Sequence, residues 1–263
     1  MNATLTVNDV ELYYTRWGNE GDTRIMLVHG WTGSNEVFRD FRFMLAERGF
    51  DVVAVDLRGH GRSSKPEGEY THELFSADVH GLAEALEWMD GFALLGQSMG
   101  GYIVLDYALR YPETLTHVIT CNTSVNLGGT LLSTVVWRLN MFLYSISPKM
   151  LMQMVGPKFF HNPQPPSVIA ELVEMSLQTP KFAGLSAIRN CFRRNLEPEL
   201  DRITVPTLVV ASEFDQKDLR DATLRIHELI PNSKLVDVPG CGHLPFVENP
   251  EYLINAIGDF VKG

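Results

Sequence analysis

Six short runs rich in valine, isoleucine and leucine recur along the chain: Ile25–Val28, Val52–Val55, Phe92–Leu95, Val118–Thr120, Leu208–Val210 and Leu235–Val238. They lack the polar alternation of a strand with one wet face, which is what strands show when helices cover both sides of a sheet. Amphipathic helical stretches fall between them, at Glu36–Arg48, Thr71–Asp90, Met99–Tyr111, Leu219–Ile230 and Pro250–Lys262. Strand and helix in turn imply βαβ units and a mainly parallel central sheet covered by helices on both faces. An alternating segment comes first, and reads as a hairpin turning at Asn8-Asp9. With 263 residues and 45% hydrophobic content, the chain can bury one large α/β core.

The rhythm breaks between Asn122 and about Leu200. No convincing strand occurs there, and helical pieces are separated by Gly128-Gly129, Pro148, Pro163, Pro165-Pro166 and Pro180. The expected organisation is a core of residues 1–121 and 201–263 with a helical cap, 122–200, inserted in it. In the piece Leu131–Ile146, one stripe at helical spacing holds Leu132, Val135, Val136, Leu139, Phe142, Leu143 and Ile146, and a second holds Trp137, Met141 and Tyr144. The second stripe is expected to line a substrate pocket. Five of the ten methionines (141, 150, 152, 154 and 175) lie in the insert, where flexible thioethers suit either an adaptable pocket wall or gap-filling in a core.

The densest chemical signal is Gly96-Gln97-Ser98-Met99-Gly100-Gly101, between the run Phe92–Leu95 and the helical run Tyr102–Tyr111. A sharp strand-to-helix turn needs glycines around its apex, because side chains there meet the crossing backbone, and it lifts the Ser98 hydroxyl to a helix N-terminus. A serine hydroxyl is a weak nucleophile at neutral pH and needs a base. His243 is the best of eight histidines, because Pro239-Gly240-Cys241-Gly242-His243 follows the last strand at the carboxyl end of the sheet, where sites of parallel α/β proteins lie. An imidazole base needs a carboxylate, and Asp215 in the loop after Leu208–Val210 is preferred over Glu213 and Asp218. The oxyanion of an attacked carbonyl needs N–H donors. Met99, directly after Ser98, and Trp31, in the loop His29-Gly30-Trp31-Thr32-Gly33, are placed to supply them. His29 itself reads as a buried loop support.

Five stretches, LVHGWTGS (27–34), VDLRGHGRSSKP (55–66), LLGQSMGG (94–101), VPTLVVASEFD (205–215) and GCGHLPFVENP (240–250), resemble in kind and order the α/β-hydrolase superfamily. The likeness covers nearly the whole chain and points to the subgroup of small soluble esterases, haloperoxidase-like enzymes, lactonases and C–C bond hydrolases. By that resemblance Ser98, Asp215 and His243 form a catalytic triad, and Trp31 and Met99 occupy the oxyanion-hole positions. Asp56, Arg58, Gly59, Gly61 and Ser63 match a structural loop beside the site. Ser212 stands where many relatives have glycine. A serine at position 98 disfavours epoxide hydrolase and haloalkane dehalogenase activities, which use aspartate there.

The expected activity is therefore hydrolysis of a small-molecule ester or lactone through an acyl-enzyme. The alternatives are C–C hydrolysis of a β-diketone or vinylogous diketone, and a slow-turnover ligand receptor on the same fold. No metal cluster, nucleotide loop or flavin fingerprint is present, so no metal or cofactor is expected. A net charge of −10 repels nucleic acid and anionic membranes unless a local basic patch intervenes, and the short cluster Arg189, Arg193 and Arg194 is flanked by Glu197 and Glu199. Neither partner is expected, whereas a homodimer is compatible with the sequence. Three scattered cysteines and the absence of a secretory signal fit a cytoplasmic protein.

Overall fold

The computed structural model describes residues 1–127 and 131–263, with the side chains of all of these except 39 and 131–133. The strands are β1 (Asn2–Val7), β2 (Val10–Trp17), β3 (Thr23–Val28), β4 (Phe50–Val55), β5 (Phe92–Gln97), β6 (Leu115–Cys121), β7 (Thr207–Ser212) and β8 (Ser233–Val238). Among the described residues they make one sheet in the order β1-β2-β4-β3-β5-β6-β7-β8. β2 runs antiparallel to both its neighbours, and all pairings from β4 to β8 are parallel. The first hairpin turns at Asn8 and Asp9 with φ of 48° and 61°, left-handed values that these two residue types tolerate because their short polar side chains bond locally.

The helices are α1 (Arg39–Glu47), α2 (His72–Ala85), α3 (Met99–Arg110), α4 (Leu131–Ile146), α5 (Pro148–Val155), α6 (Pro166–Leu177), α7 (Lys181–Arg193), α8 (Lys217–Leu229), α9 (Pro245–Glu248) and α10 (Pro250–Val261). Each central strand divides its side chains between two cores. Met26 and Val28 of β3 join Val53, Val55 and Leu94 under α2 and α3, whereas Ile25 and Leu27 join Val52, Ala54 and Leu95 under α1 and α10. Both sets are fully buried, which is why these runs do not alternate. β8 departs from that rule: it pairs on one side only, and Leu235 is 38% exposed.

Between β6 and β7 the described residues hold helices and no strand. Prolines start three of these helices, Pro148 in α5, Pro166 in α6 and Pro180 just before α7, positions where a missing N–H costs nothing. The Gly128-Gly129 break lies outside the described residues, as does the side chain of Leu132. Among the described residues no helix is long and apolar enough to cross a membrane.

Candidate active site

Ser98 sits at the apex between β5 and α3 with φ 55° and ψ −120°, a strained combination for a residue with a Cβ. The glycines around it follow from close backbone approach. A Cβ on Gly96 would lie 2.1 Å from Gly100 O, and one on Gly100 would lie 2.2 Å from Val28 O. The apex is pinned by Ser98 N–H donating to Cys121 O (2.9 Å) and by the Thr123 hydroxyl donating to Ser98 O (2.5 Å). Gly30 lies against it, since a Cβ there would come within 3.1 Å of Ser98 Cβ. The loop bearing Trp31 is thereby brought beside the serine.

That loop is set by His29, which is fully buried. Leu57 N–H donates to its Nε2 (3.1 Å), so Nδ1 carries the proton and donates to Gly30 O (2.8 Å). Burial depresses the His29 pKa to about 4, which keeps the ring neutral and this pairing intact. The Trp31 indole N–H donates to Gly184 O of α7 (2.8 Å). The backbone N–H groups of Trp31 and Met99 have no acceptor among the described residues.

His243 is 6% exposed and its Nδ1 lies 3.1 Å from both Asp215 oxygens. Nε2 has no partner among the described residues. Asp215 Oδ1 also accepts the Gln216 N–H (2.7 Å). Neither rival carboxylate bonds His243: Glu213 is exposed and accepts Gly240 N–H (3.0 Å), and Asp218 is exposed in the first turn of α8, in the cavity lining.

The His243 loop is held by residues that the sequence did not single out. The side-chain amides of Gln97 and Asn122 each donate to His243 O (3.2 Å), and Asn122 also donates to Ser212 Oγ (2.8 Å) while its Oδ1 accepts Ser212 N–H (2.9 Å). Ser212 thus gives Asn122 an acceptor that glycine would lack. Glu248 accepts N–H bonds from Gly242 (2.7 Å), Asn162 (2.8 Å) and His161 (3.1 Å), and His243 N–H donates to Phe159 O (2.7 Å). A buried loop carbonyl or amide needs some partner, but which side chain supplies it depends on tertiary approach that one sequence does not display.

Ser98 and His243 line the same cavity, of about 920 Å3, with Gly30, Trp31 and Gln97. Its far wall is apolar and comes from α4, α5 and α6, including Val136, Leu143, Leu151, Met152, Leu172 and Met175. Asn126, Glu197, Asp218 and Arg225 add polar groups to the lining. Asp56, Arg58, Gly59, Gly61 and Ser63 stay outside it. The Asp56 carboxylate instead takes the Asn35 and Arg62 N–H groups (2.6 and 2.7 Å), tying the loop after β4 to the turn that precedes α1.

The expected pocket stripe is corrected in two of its three members. Trp137 lines the cavity, but Tyr144 is fully buried against Trp31 (ring centroids 4.8 Å apart) with its hydroxyl donating to Thr179 O (3.3 Å), and Met141 packs on the core. At about 100° per residue, α4 has three faces. Met141 and Tyr144 turn toward α7 and the core, Val136, Asn140 and Leu143 turn toward the cavity, and Trp137 touches both. Val135, Phe142 and Ile146 are exposed.

Residues 23–250 match the family described as the alpha/beta hydrolase fold. An uncharacterized hydrolase of Bacillus subtilis is 28% identical, covering 98% of this chain and 96% of its own. The 3-oxoadipate enol-lactonase 2 of Acinetobacter baylyi is 26% identical over 98% and 96%. The solved esterase of Exiguobacterium antarcticum superposes with a TM-score of 0.92 over the whole of both chains at 23% identity.

Proposed function

The chain belongs to the α/β-hydrolase fold family, and we propose that within it this protein is a serine hydrolase cleaving a carboxylic ester or lactone, with Ser98 as nucleophile, His243 as general base and Asp215 as its orienting acid. One observation carries the reading: His243 is tied through Nδ1 to Asp215 and shares a cavity with the strained Ser98, beside two backbone N–H groups without acceptors among the described residues. Relatives named as an esterase and an enol-lactonase support the same bond type.

In the first step Ser98 Oγ attacks the carbonyl carbon while its proton passes to His243 Nε2. Asp215 keeps the proton on Nδ1 and stabilises the imidazolium that forms. The oxyanion is held by the Trp31 and Met99 N–H groups, which no carbonyl among the described residues engages. Collapse breaks the bond to the alcohol oxygen, which takes the proton from His243. Water then attacks the acyl-enzyme, gives its proton to His243, and the acid leaves as Ser98 regains it. In this reading residues 122–200 are a cap whose apolar wall holds the acyl chain, the enzyme needs no cofactor, and it works in the cytoplasm.

The test is a hydrolysis screen over acyl esters, lactones, amides and β-diketones, joined to labelling with a fluorophosphonate. Ester or lactone turnover with one adduct on the wild type and none on Ser98→Ala is expected. Exclusive β-diketone cleavage, or labelling of the Ser98→Ala protein, overturns the assignment. A burst of one equivalent with negligible steady-state turnover replaces the enzyme by a receptor.

A further inference from the structure

We propose that the outer face of α4 and α5 docks on a lipid surface bearing anionic head groups. Val135, Leu139, Phe142 and Ile146 recur at i, i+4, i+7 and i+11 along α4, and all four are more than half exposed. Met150 and Met154 extend the strip onto α5 at 45% and 48% exposure. Contiguous exposed apolar surface of this kind marks an interaction site rather than an ordinary monomer surface.

Charge selects the occupant. The chain carries a net −10, yet residues 131–160 contain three basic side chains, Arg138, Lys149 and Lys158, and no carboxylate. All three are exposed. The insert's four acids lie outside that stretch: Glu171 and Glu174 on α6, the latter lining a surface groove with Lys149, and Glu197 and Glu199 after α7. An apolar strip with a basic rim suits acyl chains below and phosphates around it. A second copy of the chain suits it less, because a two-fold contact through residues 131–160 would set Arg138, Lys149 and Lys158 against like charges in a stretch with no carboxylate of its own. Carboxylates elsewhere in the chain are screened over about 8 Å at physiological salt.

The strip also leads somewhere. Leu139 and Met154 are at once exposed and part of the cavity wall, so the face opens onto the apolar side of the site. A surface bound here delivers acyl chains to the cavity without exposing them to water. Docking itself needs no reaction at Ser98, so it is tested independently of the proposed chemistry.

The experiment is flotation of the full chain, and of its Ser98→Ala form, with vesicles of phosphatidylcholine alone or with phosphatidylglycerol at about one third. Wild type and Ser98→Ala are expected to float with the anionic vesicles at low salt, with partitioning reduced at least about tenfold by Arg138→Glu/Lys149→Glu and by Phe142→Ser/Ile146→Ser. Melting temperature shows that both variants fold. Equal partitioning to neutral and anionic vesicles, indifference to either double substitution, or a concentration-dependent dimer that Phe142→Ser/Ile146→Ser abolishes would each overturn the proposal.

Discussion

The sheet and the helical insert use the same apolar residues under opposite constraints. In β3 every residue from Ile25 to Val28 is fully buried, because the alternate sides of a strand both meet helices. In α4, Tyr144 is fully buried while Phe142, two positions away, is 60% exposed. A strand inside a doubly covered sheet offers its side chains two equivalent fates. A helix with a broad apolar arc offers three, and neighbours decide among core, cavity and solvent. If that division extends to function, the sheet half carries the chemistry while the insert carries selection.

The largest effect belongs to the sheet half. Asp215→Asn leaves a group of nearly the same shape but lets the His243 tautomer reverse, and kcat is expected to fall by about 10⁴ with KM little changed. Asp218→Asn, on the exposed first turn of α8, is expected to change kcat less than about threefold. Steady-state kinetics on both decide it. The reverse order would move the acid to α8.

Next comes the joint between the halves. Tyr144 fills the space between Trp31 and Gly184, where a Cβ on the glycine would lie 2.5 Å from the tyrosine hydroxyl. Tyr144→Ala removes a buried aromatic ring and is expected to cost about 3–5 kcal/mol of stability, read by urea unfolding. Tyr144→Phe is expected to cost only about 1 kcal/mol, for the hydrogen bond to Thr179 O. Equal losses in the two variants would mean that the ring itself contributes little.

This contrast explains what was legible in the sequence. The strand order could be anticipated as mainly parallel because unalternated runs leave no other arrangement, and the Ser98 turn could be placed because glycines flank it on both sides. The partnership of His243 with Asp215 needed only loop order along the sheet. The faces of α4 were not legible, since Tyr144 and Phe142 look equally apolar in one dimension and only tertiary packing sets which of them meets Trp31 and Gly184. Asn122 and Glu248 were missed for a related reason: each acts on backbone groups, which carry no residue signature, and the Glu248 partner Asn162 is 86 positions away. The 36–48 stretch, read as one helix, begins with a tighter turn at Asn35–Phe38, where Asp56 holds the Asn35 N–H.

Acid should loosen the sheet half first. Burial lowers the pKa of His29 to about 4, of His60 to about 3 and of His72 to about 4. The unfolded chain binds protons at these sites near pH 6.5, and the folded chain does not. Their contribution is therefore complete above about pH 6.5 and is lost progressively as pH falls toward 4, by about 1 kcal/mol per pH unit for each ring. Unfolding free energies measured at pH 7, 6 and 5 are expected to show this decline, and His60→Gln should flatten it by about one proton. An unchanged slope in that variant would mean that His60 is already protonated in the fold.

The smallest effect separates two neighbours within one helix of the insert. Leu143 lines the cavity, whereas Met141 packs on the core, although both are apolar and lie two positions apart. If the apolar wall holds the acyl chain, each methylene that it covers is worth about 0.8 kcal/mol, or about fourfold in kcat/KM, until the cavity is full. Leu143→Ala enlarges the space at that wall, so the preferred chain is expected to lengthen by about one to two carbons while the melting temperature moves by only a few degrees. Met141→Ala opens its space on the other side of α4, where no substrate reaches, so it is expected to lower the melting temperature more and leave the chain-length profile in place. Measuring both quantities on both variants uses each as the other's control. A shifted profile in Met141→Ala with none in Leu143→Ala would restore the stripe Trp137, Met141 and Tyr144 as the pocket wall, and would mean that α4 turns by about half a revolution when substrate binds.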